Sequence, residues 1–203
     1  MLPDEHAINV LESLRFFARK DSNVVLNVLG GQIPRENEKF PKGELNFADL
    51  GWRGFYHCHS AIDKNPEEHG HFHLFSRYVD KQDSSADWTH VAALSIDNEG
   101  QPRAWFTVNQ WVTGASWLSA SDTTALLDNI PTSDAFTLTE TFLLSMLGLY
   151  HEDLQKLLSE RDRQLTQINA GNRMGDTLQN REVYVLSSQQ INLQQRLSLA
   201  VSA

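Results

Sequence analysis

The sequence predicts an α+β fold: a central, curved antiparallel β-sheet bearing a histidine cluster, with an N-terminal helix and a helical C-terminal region. Three observations carry this. Ile8, Leu11, Leu14 and Phe17 repeat at the three-to-four-residue spacing of an amphipathic helix. Four segments between residues 53 and 114 are aromatic or β-branched and end at turn residues. Beyond residue 121 the spacing becomes helical again, most plainly over 139–168. At 203 residues, 40% hydrophobic and 21% charged, the chain can bury a core without disulfides or a structural metal. It reads as a single domain, 1–203, with a helix in 1–20, a β-rich core over 24–118 and a mostly helical 121–203.

Taken in order, the first helix covers 4–20, with Asp4 placed to cap it. Residues 23–52 pass from a short apolar run through Gly30-Gly31 into a polar stretch with Pro34, Pro41 and Gly43, which reads as an extended connection. "RGFYHCHS", "HGHFHLFSRYV", "WTHVAALSID" and "PRAWFTVNQWVTG" are the strands, the last two joined by a compact hairpin at "IDNEGQPR". Ser121-Asp122 can cap "TTALLDNI". The 139–168 repeat forms one helix or two, with Gly148 the place for a break. "AGNRMGD" reads as a loop, "REVYVLSS" as a further strand and "LQQRLSLAV" as a terminal helix.

Acidic residues outnumber basic ones 26 to 17, a net charge of −9, which disfavours a nucleic-acid partner. The densest basic segment, "SERDRQ", is interleaved with acids and reads as a solvated helix face. The single cysteine, Cys58, excludes an intrachain disulfide. The N-terminus lacks a signal-peptide pattern and no apolar run approaches membrane-spanning length, so the expectation is a cytoplasmic protein without a membrane partner.

The chemistry concentrates in the histidines, five of eight falling between His57 and His73. Residues i and i+2 of a strand share a face, so His57 pairs with His59 and His71 with His73. Antiparallel pairing through the loop 60–70 gathers four imidazoles about one strand spacing, ~5 Å, apart. Imidazole suits Fe, Zn, Cu and Ni, so a divalent transition metal is expected on His57, His59, His71 and His73. His69 shares their face in a regular strand, and Glu67 or Glu68 can supply a carboxylate. Cys58 points away and is not counted.

Two further residues are catalytic candidates. Arg77 follows His71, His73 and Phe75 on one face and can clamp an anionic substrate, or simply pair with Asp80 or Glu68. His90 falls with Ala92, Leu94 and Ile96, where a lone histidine more often serves the core, yet its strand can deliver another ligand. Trp105, Thr107, Asn109 and Trp111 share a face that can line a pocket or pack. His6 and His151 lie in helical segments. Phosphate-binding, nucleophile-elbow, H-E-x-x-H and di-iron helix motifs are absent.

The run "FYHCHS…EEHGHFHLFSR…WTHVAALSIDNEGQPRAWFTVNQWVTG", with "FPKGEL" upstream, resembles an uncharacterised bacterial family, domain of unknown function 6969, over about residues 25–118. The resemblance implies a bacterial protein and carries no activity with it. H-x-H in a β-rich core is also similar to cupin metal sites, but the later Glu and flanking glycines of that pattern are missing. The leading expectation is a mononuclear non-haem metalloenzyme, a hydrolase or oxygenase, acting on a small substrate, with an anionic one allowed by Arg77. A binding or assembly protein, forming a homodimer through its helical region, and a metal-free His acid–base enzyme are the alternatives.

Overall fold

A computed structural model describes residues 4–47, 50–59, 68–77, 87–169 and 174–202. Glu67 and Asp80, two of the candidate carboxylates, lie outside the described residues. The chain opens with α1 (Glu5–Arg19), capped by the Asp4 carboxylate accepting from His6 N–H. The described part of the stretch 23–52 is more regular than its punctuation suggests. It holds a short helix, α2 (Val24–Leu29), capped by Asn23 and closed by left-handed Gly30, and a strand, β1 (Phe40–Phe47). Proline and glycine survive in β1 because it is an edge strand whose pairing slips between Phe40 and Leu45.

The expected strands follow as β2 (Trp52–His57), β3 (Gly70–Ser76), β4 (Thr89–Ile96) and β5 (Pro102–Val108). β5 stops early because Asn109 caps a one-turn helix, α3 (Gln110–Thr113), so Trp111 leaves the strand. Next comes α4 (Ala120–Leu127), whose cap is Ser119 rather than Ser121-Asp122. The long helical repeat is two helices, α5 (Leu138–Leu149) and α6 (His151–Ile168), breaking at Tyr150. Gly148 serves instead as a close-approach site, since a Cβ there would collide with the His6 ring of α1. The segment read as a loop contains α7 (Met174–Leu178), followed by β6 (Val185–Gln190) and α8 (Leu193–Ser202).

All six strands pair antiparallel in chain order, leaving β1 and β6 as the edges of an open sheet. Strand alternation then sorts the side chains. Tyr56, Phe72, Leu74, Leu94 and Trp105 enter one core with Val10 and Phe17 of α1, Phe142 of α5, Leu158 of α6 and Leu197 of α8. Trp105 therefore packs rather than lining a pocket. The histidines occupy the opposite face, near a smaller cluster of Ala93, Phe106 and Val108 with Val112 of α3. Arg161, in the segment expected to be a solvated face, is 2% exposed, stacked 4.2 Å over Trp117 and donating to the Leu118 carbonyl. Among the described residues no helix is long and apolar enough to cross a membrane.

Candidate metal centre

Register brings the site together. His57 of β2 stands directly opposite His71 of β3, and Phe55 opposite His73, so alternation delivers three imidazoles to one patch. Gly70 lets β3 begin this close to β2, because a Cβ would strike the Tyr56 hydroxyl and the His57 carbonyl. The three Nε2 atoms converge: His57 to His71 is 2.7 Å, and His73 lies 3.2 Å from each. Nitrogens bound at ~2.0–2.1 Å around a tetrahedral ion sit ~3.3 Å apart, so small ring rotations would admit one. His57, His71 and His73 thus form a triad able to hold a metal ion.

Proton placement supports convergence on a cation. His71 Nδ1 donates to Glu68 Oε1 at 2.7 Å, and Ser95 Oγ donates to Glu68 Oε2 at 2.5 Å. A neutral His71 with its proton on Nδ1 presents a lone pair from Nε2. His73 is backed likewise, its Nδ1 2.9 Å from His90 Nε2. Lone pairs facing one another at these distances repel unless a proton or a metal ion lies between them. Carboxylate–histidine backing of this sort fixes the ring and raises its basicity in metal sites. Burial by itself would raise the Glu68 carboxyl, but the His71 hydrogen bond and charge, with Ser95, bring it below its ordinary value.

His57, His73 and His90 resist protons. His71 and His73 are 3% and 2% exposed. Burial, then the neighbouring imidazoles, lowers His73 well below the ordinary histidine value. His57 falls to about 3 through burial, His71, His59 and Lys39, and His90 to about 3 through burial, Arg161 and His71. The unfolded chain, with histidines near 6.5, takes up protons that the folded metal-free protein refuses. Stability is therefore whole above pH 6.5 and lost as the pH falls toward 3. Melting curves of metal-free protein should drop steadily from pH 6.5 to 4.5. A flat profile would contradict the buried neutral histidines.

His90 reaches this face through a bulge. Leu74 opposes Ala92 but Phe75 opposes His90, so Val91 is the extra residue and turns His90 toward His73. Regular alternation from Ala92 would have placed it in the apolar core, which is why its contact with His73 could not be read from spacing. His59 lies beside the triad, its ring 4.7 Å from His57 and 5.1 Å from His71, centre to centre. His69 is turned away before the strand begins: its ring stacks on Tyr56, and its Nδ1 hydrogen-bonds the Tyr56 hydroxyl. Arg77 stacks 4.6 Å over Trp88.

A cleft of about 320 Å³ opens above the triad, lined by His57, His59 and His73 with Phe55, Phe75, Trp111 and Tyr184. Its cations are Arg53 and Lys39. Arg53 was discoverable by counting back in twos from His57 through Phe55, whereas nothing local marks Tyr184 or Lys39. Asn109, fully buried, donates to the Thr177 carbonyl, and Trp111 donates to that of Val183, so the wall is held to the segment before β6.

No curated protein and no solved structure matches the chain significantly. A family described as a domain of unknown function (DUF6969) matches residues 4–191, which takes in the sheet, the triad and both long helices. Nearly the whole chain is thus accounted for by one uncharacterised domain, and the protein belongs to the DUF6969 family.

Proposed function

We propose that the protein is a mononuclear non-haem metalloenzyme whose divalent transition metal is held by Nε2 of His57, His71 and His73. The observation that carries this reading is the convergence of three Nε2 atoms within 2.7–3.2 Å, two of the rings being backed at Nδ1 by Glu68 and His90. Structural zinc sites close with four protein ligands, whereas catalytic ones use three and leave a position for water or substrate. Here the triad borders a cleft wide enough for a small molecule.

A bound metal would supply Lewis acidity or activate water or dioxygen. The protein's part would be to hold three neutral ligands so that the ion keeps its charge, and to exclude water with Phe55, Phe75 and Phe106. His59, on the cleft wall, is placed to accept or deliver a proton. A hydrolase and an oxygenase both fit these groups. A small-molecule substrate and a cytoplasmic setting belong to the same reading.

Untagged protein should carry or take up one equivalent of Zn²⁺, Fe²⁺ or Cu²⁺ per chain, read by elemental analysis after dialysis. A content well below one after reconstitution would remove the proposal. The Glu68–His71 pair also favours a second reading, in which a charged His71 donates from Nε2 to a neighbouring imidazole and the cluster works as a metal-free acid–base relay. Activity untouched by a chelator would select that version.

A further inference from the structure

The cleft carries a charge that the rest of the molecule does not prepare for. In a chain with net charge −9, its rim presents Arg53 and Lys39. Glu44 answers both unevenly, lying 2.9 Å from Lys39 Nζ but 3.7 Å from Arg53 Nη1, beyond hydrogen-bond reach. Among the described residues the Arg53 guanidinium donates no hydrogen bond, and its Nε is buried without a partner. Its position is nonetheless fixed. The guanidinium sits 4.9 Å over Phe75 and 4.8 Å over Trp88, while Lys39 sits 4.1 Å over Phe55.

An arginine held between two rings, with its donors unfilled, is arranged to receive an acceptor in plane. The groups around it say what else the ligand carries. Phe55 and Phe75 stack 5.8 Å apart on one wall, and Trp111 and Tyr184 meet edge to face at 5.5 Å on the other. We propose that the cleft above the triad receives a small organic carboxylate, its anionic head taken by Arg53 with Lys39 and its apolar body lying between the aromatic walls. This deepens, and for its catalytic meaning rests on, the metal-centre reading. Arg53 shares its strand face with His57, two alternations away, so a carboxylate seated there directs the remainder of the molecule toward the imidazoles.

Benzoate is a suitable probe, with benzyl alcohol as its uncharged counterpart, titrated by calorimetry against metal-free and zinc-loaded protein. Benzoate should bind both forms and benzyl alcohol neither detectably. Arg53→Gln should weaken benzoate ~10-fold or more with zinc stoichiometry unchanged, and Lys39→Gln should weaken it less. If Arg53→Gln does not fold, Arg53→Lys, which keeps the charge without the fork, should still weaken binding several-fold. Benzoate that binds only the zinc-loaded protein and is indifferent to Arg53 would be a metal ligand, which overturns the clamp and leaves the metal centre standing. Clamp binding that persists in a protein unable to hold zinc would do the opposite. No benzoate binding in either form, or equal binding of the alcohol, ends the proposal.

Discussion

His71→Ala should lower metal affinity by at least ~100-fold and leave the chain folded. His71 is the hinge of the triad: its Nε2 lies 2.7 Å from His57 and 3.2 Å from His73, and its Nδ1 holds Glu68. Alanine removes one ligand and frees the carboxylate that oriented it. Loss of a backing residue alone costs ~10–100-fold in metal sites, so loss of the ligand itself must exceed that. Glu68→Gln should therefore fall between wild type and His71→Ala, about 10–100-fold weaker, because the ring remains but its partner is no longer an anion. Folding survives because the helix-covered core, from Ala7 to Leu197, draws nothing from the histidine face. Competition with a chromogenic chelator measures all three proteins. Wild-type affinity in His71→Ala would dismiss the triad, and equal affinities in Glu68→Gln and wild type would dismiss the backing argument.

What the sequence disclosed and withheld divides along physical lines. Alternation has a period of two whatever the partner strand does, so the shared face of His71 and His73 could be read directly, and His57 joins it through the antiparallel register with β3. Where regularity fails, so does the reading. The extra residue at Val91 moves His90 across the sheet, and no composition signal announces it. Asn109 ends β5 by capping α3, which sends Trp111 to the cleft instead of alternating with Trp105. β1 was obscured by Pro41 and Gly43, which an edge strand tolerates and an interior strand would not. Arg161 looked solvated among its charged neighbours, because nothing in "SERDRQ" foretells that Trp117 covers it. Local periodicity could place the ligands, while the cleft's opposite wall depends on tertiary docking of the segment before β6.

Phe72→Ala is expected to have the opposite profile to His71→Ala. Phe72 is one residue along β3, hence on the helix-covered face, and is fully buried. Its ring lies 4.9 Å from that of Tyr56, and its cross-strand neighbours are Tyr56 on β2 and Leu94 on β4, both in the same core. Truncation forfeits the transfer energy of the benzyl group and leaves a cavity that the central strands cannot collapse to fill, together ~3–5 kcal/mol. Against a total stability of ~5–15 kcal/mol for a domain, that is a large share, so a substantial fall in the denaturant midpoint should result. The folded fraction should nevertheless bind one metal per chain with near-native affinity, since the imidazoles stand on the other side of the sheet and their Nδ1 partners, Glu68 and His90, are untouched. Denaturant melts and metal stoichiometry on the same samples separate the two faces. If Phe72→Ala stays as stable as wild type, or loses metal while folded, the two-faced sheet on which the site is built would have to be redrawn.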